Sequence, residues 1–216
     1  MGRQVAAKQG ESVRGYVSPL REQGAARTRE LILDRATTLF AERGYGLVTV
    51  ADIAAAAGVS SKTVFASVGS KADILDRIVD QGVTDSGYEQ AMREILALDA
   101  PKAVLAAVAR GTRLGNEAQF TVHEAIRKAL PAHDNAEALW QRAVADYRAA
   151  LQAAAEHLHT LTPAPRGPTD ETAGLLWLWF GPTSWRTLVV ENGWTWDRAE
   201  EILGRVAVSA LEWHSV

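Results

Sequence analysis

The sequence predicts an all-α protein, an N-terminal three-helix unit followed by a larger helical part. Three observations predict it. Apolar residues recur at three- and four-residue spacing in run after run. Ser, Thr, Asn or Asp stands at the start of most of those runs, and Gly or Pro ends several of them. No stretch of useful length alternates apolar and polar residues as a half-buried strand does.

Residues 1–24 are rich in Gly, Gln, Ser and charge without any period and read as a flexible basic arm, carrying Arg3, Lys8, Arg14 and Arg21. From Arg27 the pattern turns helical, with Leu31, Ile32, Ala36, Leu39 and Phe40 on one face and Gly44 as the stop. Thr49 caps a short helix with Val50, Ile53, Ala54 and Ala57 on its apolar side, and Gly58 breaks it. Ser60 caps the next, which buries Val64 and Val68. Ser70 and Asp73 have the capping-box spacing and start a helix that runs through Ile74, Leu75, Ile78 and Val79 toward Leu96.

Asp99–Pro101 starts a further helix, and 116–128 reads as another. Residues 135–159 form a long one with the stripe Trp140, Val144, Tyr147, Leu151, Ala154, Leu158. The turn-rich 162–168 leads to a helix over 170–180, interrupted at Gly181–Pro182 and resumed to Glu191. The last helix covers 197–213. There is no internal repeat to find in this order of elements.

Composition sets the class. The 216 residues are 47% hydrophobic and 23% charged, and they include no cysteine, which excludes disulfides and thiolate metal sites and suits a reducing cytoplasm. No apolar run approaches a membrane span, and the N-terminus lacks the apolar segment of a secretory signal. Net charge is −3, unevenly spread: residues 1–71 hold ten Lys/Arg against six Asp/Glu, and 72–216 hold thirteen against twenty. A basic N-terminal part suits an anionic partner.

Residues 50–68 have the layout of a helix-turn-helix: small Ala54 for close approach, Gly58 for the turn, and Ile53, Val59 and Val64 for the core between helices. In such a unit the second helix enters the DNA major groove by its N-terminal half, here the polar Ser60, Ser61, Lys62 and Thr63. Lys62 and Lys71 each follow a capping serine, in the first turn of a helix, where a cation is unfavourable by ~0.3–1 kcal/mol. A phosphate at each helix start would convert both into well-placed contacts. Arg27 and Arg29, opening helix 1, are further backbone-contact candidates; solvated surface residues are the alternative for all of these.

"TRELILDRATTLFAERGYGLVTVADIAAAAGVSSKTVFASVGSKADIL" resembles the DNA-binding domain of the TetR family of transcriptional regulators over residues 25–85, in the TR start, LFAERGY, TVADIAxxAGVS and the GSK before helix 4. "WRTLVVENGWTWDRAEEIL" resembles a stretch near the family's C-terminus. The resemblance implies an N-terminal helix-turn-helix, an effector-binding and dimerisation domain over 86–216, and a homodimer built from C-terminal helices. The chain departs from the pattern where Lys62 replaces Gly or Pro, Phe65 replaces Tyr, Ser67 replaces Tyr or His, and Val68 replaces Phe. Thr49, Phe65 and Ser67 complete the candidate DNA-binding set.

All seven tryptophans lie at or beyond Trp140. Phe120, His123, Trp140, Tyr147, Trp177, Phe180 and Trp185 are candidates for lining an apolar ligand cavity, with plain core packing as the alternative. His157 and His159, two apart on a helix, point different ways and cannot share a metal. Ile202, Leu203, Val206, Ala210 and Trp213 on the last helix, with Trp185, are the candidate dimer interface. Without a glycine-rich phosphate loop, GxSxG or HExxH, no enzyme, cofactor or metal is expected. The expected partners are a double-stranded operator, a small-molecule effector and a second copy, with no membrane. A constitutive DNA-binding regulator and an all-α enzyme are the alternatives, separated from a sensor by ligand-dependent release from DNA.

Overall fold

Helix α1 (Pro19–Arg43) begins eight residues before the sequence pattern turns helical at Arg27. Leu20, Arg21, Gln23, Ala25 and Ala26 are adequate helix formers, Glu22 suits the first turn, and a single Gly24 costs only ~1 kcal/mol. The expected arm is therefore helical from residue 19. The computed structural model describes residues 19–84, 88–211 and 213; Arg3, Lys8 and Arg14 of the arm and His214 lie outside them.

A 3₁₀ turn (Tyr45–Leu47) leads to α2 (Val50–Ala57), α3 (Ser61–Val68) and α4 (Lys71–Thr84). Thr49 and Asp52 form a reciprocal capping box on α2. Gly58, in the left-handed region at φ 66, closes α2 and turns the chain into α3. Ser70 and Asp73 cap α4 the same way, with Asp73 Oδ2 accepting from the Ser70 amide and hydroxyl at 2.7 Å each.

The helix predicted from Ser70 toward Leu96 is described as α4 and α5 (Tyr88–Leu96), and its stretch at 85–87 lies outside the described residues. One element boundary differs from expectation. The two helices predicted after Pro101 are one, α6 (Pro101–Ala129). Asn116, read as a helix start, is instead a buried mid-helix residue whose amide donates to the Thr112 carbonyl one turn back, at 2.7 Å.

The long α7 (Ala136–Thr160) and α8 (Thr169–Phe180) follow. Gly181 interrupts the chain where a Cβ would stand 2.5 Å from the Trp177 carbonyl oxygen. Past it come α9 (Pro182–Arg186), a π-helical turn (Thr187–Glu191) and α10 (Trp196–Ala210), capped by Thr195, which accepts from the Arg198 amide at 3.2 Å. Among the described residues there is no strand, only an isolated bridge between Pro165 and Trp213, and no helix is long and apolar enough to cross a membrane.

The apolar side chains form two cores. The first joins α1–α4 to the C-terminal end of α6 and the N-terminal end of α7, through Ala125, Ile126, Ala129, Ala136 and Leu139. The second lies among α5, the other halves of α6 and α7, and α8–α10, around Leu105, Tyr147, Phe180 and Trp185. Helices α6 and α7 thus belong to both.

Candidate nucleic-acid interface and ligand cavity

The three helix starts in the N-terminal unit differ in charge. At α2 and α4 the N-terminus is filled by its own carboxylate, Asp52 or Asp73. The hydroxyl bonds from Thr49 and Ser70, more than any nearby cation, hold these two carboxyl groups below their ordinary range. Helix α3 has no acid in its first turn. There the Ser60 hydroxyl accepts from the Thr63 amide at 3.1 Å and pairs with the Thr63 hydroxyl at 2.8 Å, while Lys62 stands exposed beside them. An anion approaching α3 meets a helix N-terminus, two hydroxyls and an ammonium, with no carboxylate from the helix itself in the way.

Val64 and Val68 fasten α3 to the core from its inner face. Its outer face carries Lys62, Phe65 and Ala66, and Phe65 is 55% exposed. Ser61 and Ser67 are half-buried. The C-terminal carbonyls of α3 are held by arginines: Arg29 Nε donates to Ser67 O at 3.4 Å and Arg77 Nε to Val68 O at 3.1 Å. Arg27 is exposed on α1.

Lys71 departs from the sequence expectation. Its ammonium turns inward, donating to Tyr45 O at 2.9 Å and Val48 O at 3.0 Å, and sits 4.2 Å from the centre of the Tyr45 ring. These carbonyls, at the start of the 3₁₀ turn and just past its end, make this first-turn lysine favourable without a phosphate.

Two adjoining chambers flank α6. The larger, of about 340 Å³, lies among α5, α6 and α7 and is lined by Tyr88, Ile95, Thr112, Leu151 and others. The smaller, of about 180 Å³, lies between α6, α7 and α9, against Phe120, Trp140 and Trp185. Asn116 and His123 line both. Of the candidate ligand residues, Tyr147 faces the larger chamber, Phe120, Trp140 and Trp185 the smaller, and His123 each of them.

Trp177 and Phe180 line neither chamber, which corrects their assignment as ligand contacts. Trp177 packs edge-on against Tyr147 at 5.7 Å under the Arg148 guanidinium, 3.9 Å away. Phe180 is fully buried, and its carbonyl accepts from the Tyr147 hydroxyl and from Trp185 Nε1. Sequence reasoning missed Asn116 and Tyr88. Both are polar residues within otherwise ordinary helical spacing, and only the packing of α5 and α7 on α6 brings them to a cavity.

Residues 32–78 match the family described as bacterial regulatory proteins, tetR family. A TetR-family DNA-binding domain therefore occupies residues 32–78. Over 74 residues it is 42% identical to the HTH-type transcriptional repressor KstR2 of Rhodococcus jostii (strain RHA1), a stretch covering 34% of this chain and 35% of that repressor. Among solved structures, the transcriptional regulator FadR from Bacillus subtilis in complex with stearoyl-CoA aligns with a TM-score of 0.68 at 16% identity, over 85% of this chain and 99% of that one. The TetR-family regulator PfmR from Thermus thermophilus aligns with a TM-score of 0.64 at 20% identity, over 87% and 97%. At these identities the likeness is one of fold. These relatives are transcriptional regulators, not enzymes.

The candidate dimer residues divide. Trp185 is fully buried within the chain and Leu203 packs inward on the second core, so neither offers the exposed apolar side chain expected of a dimer-interface residue. Trp213 is half-buried, its indole donating to Val208 O at 3.2 Å. Ile202 is half-buried, Ala210 is exposed and Val206 is 40% exposed. Among the exposed apolar side chains that sequence reading missed is Leu178 on α8, 61% exposed. It sits in "LLWLWF", the C-terminal half of α8, which is apolar all round, the pattern of a segment covered on both sides.

Proposed function

We propose that this chain is a ligand-responsive transcriptional regulator of the TetR family, acting as a repressor in the cytoplasm. A dimer binds a partly palindromic operator through α3 and is released when a small, mainly apolar molecule fills the cavity. In this division, residues 25–85 bind DNA and 86–216 bind the effector and the second protomer.

The carrying observation is the path of α6. Its middle, at Asn116 and His123, is cavity wall, and its end, at Ile126 and Ala129, is core of the helix-turn-helix unit. Lys128 at that end also donates to the carbonyls of Ala41 and Glu42 on α1. On the sequence alone the helix after Ser70 is the only link between the parts. The packing gives α6, and the α7 ion pair of Arg142 with Asp76 and Asp80, as further links. A ligand that shifts α6 changes the separation of the two recognition helices, which must match about one DNA turn between half-sites. Coupling of ~1–3 kcal/mol corresponds to a roughly 5- to 150-fold loss of operator affinity.

The test uses DNA from upstream of the chain's own gene and fluorescence anisotropy. Specific binding relative to a scrambled fragment is expected. Equal binding to both fragments overturns the regulator reading.

A further inference from the structure

The polar groups left open at the seam between the two chambers carry information about what fills them. Asn116 is 2% exposed. Its amide nitrogen donates to Thr112 O at 2.7 Å and to the Tyr147 hydroxyl at 3.0 Å. The orientation is fixed chemically: the Thr112 carbonyl only accepts, and the Tyr147 hydroxyl gives its own proton to Phe180 O. Both amide protons are therefore committed. Oδ1 remains a hydrogen-bond acceptor with no donor among the described residues, on a side chain that lines both chambers. An acceptor that opens into a mainly apolar chamber favours a ligand that brings a donor to it over one that brings only acceptors or apolar groups.

The charges point the same way. No Lys or Arg lines the larger chamber among the described residues, and its one carboxylate, Glu94, is exposed and bonded to Gln90. In the smaller chamber Arg127 and Arg186 are both paired with Glu124, and Arg186 also with Glu191. His123, two helical turns from Asn116, meets Trp140 edge-on at 5.6 Å and makes no hydrogen bond to the described residues. Burial lowers it to about 4, so it is a neutral ring near pH 7. A carboxylate or phosphate placed here would find no free cation and would face Oδ1, an acceptor, with no proton to give.

We propose that the cavity takes an uncharged, mainly apolar molecule bearing a hydroxyl, an alcohol or phenol, whose O–H donates to Asn116 Oδ1. This rests on the effector reading above and specifies its ligand class.

The test is a matched series on the full chain, followed by tryptophan fluorescence and calorimetric titration: 1-octanol, 1-methoxyheptane and octanoate, and in parallel 2-naphthol, 2-methoxynaphthalene and 2-naphthoate. The alcohol or phenol is expected to bind roughly tenfold tighter than its ether, which lacks the donor, and than its carboxylate. Asn116→Val should erase the preference over the ether while ether binding persists. Because that variant removes a buried bond to Tyr147 and could fail to fold, the ligand order on the unaltered chain decides by itself. Preference for ether or carboxylate in either series, or no binding in both, overturns the proposal. Operator release is read on the same samples. Correct ligand order without release removes the effector role and leaves the ligand class. Release by the carboxylate alone does the reverse.

Discussion

Lys62 and Lys71 occupy matching places in the sequence and different ones in the fold. Lys62 points to solvent beside an acid-free helix start, whereas Lys71 holds the carbonyls of Tyr45 and Val48. Lys62→Ala should weaken operator binding across sequences and make the salt slope shallower by about one unit. Lys71→Ala should instead lower folding stability by about 1–3 kcal/mol, since it strips charged donors from two carbonyls. An unchanged melting temperature with a shallower salt slope in Lys71→Ala would return that lysine to the phosphate role. His123 gives a pH signature. Its folded value of about 4 lies below the ordinary 6.5, so the unfolded chain binds the proton more readily. Its contribution is present above about 6.5 and is lost as pH falls toward 4. In denaturant titrations at pH 5 and pH 7, His123→Phe should show a smaller loss between the two than the parent; an equal loss would show that His123 does not titrate as burial demands.

At the scale of elements, α8 and α10 each leave an apolar residue outside, Leu178 and Val206. A two-fold contact between copies would cover both. Light scattering at micromolar concentration should give about twice 23.3 kDa. Leu178→Asp and Val206→Asp should each give a folded monomer, because a carboxylate buried without a partner opposes the contact. A monomeric parent, or dimers in both variants, would place the interface elsewhere or remove it. Trp185 belongs to the interior instead, and its replacement should unfold the second core rather than split an intact dimer.

At the scale of the molecule, the helix-turn-helix unit does not own its whole core. Ala125, Ile126, Ala129, Ala136 and Leu139 complete it from α6 and α7. A fragment of residues 1–85 should therefore show weak or non-cooperative thermal unfolding and bind the operator poorly. A fragment as stable as the full chain would mean that these contacts contribute little. In the proposed mechanism the same sharing gives a cavity beside α6 a route to α3 without any separate hinge.

Local chemistry fixed much of this protein before any tertiary contact formed. The caps at Thr49, Ser60 and Ser70, the turn at Gly58 and the inward faces of α2 and α3 follow from hydrogen-bonding groups and apolar spacing within a few residues. These are also the residues that resemble the TetR family, so the fold was legible, and the proposed DNA-binding face rests on them. Tertiary structure alone decided that Lys71 turns inward, that Asn116 continues a helix instead of starting one, and that Trp177 and Phe180 pack while Tyr88 faces a cavity. A lysine, an asparagine or a tryptophan on a helix has the same local pattern whether it meets water, a ligand or a neighbouring helix. The difference lies in which element packs across from it, and for Asn116 that element is α7, with the Tyr147 hydroxyl 31 positions along the chain.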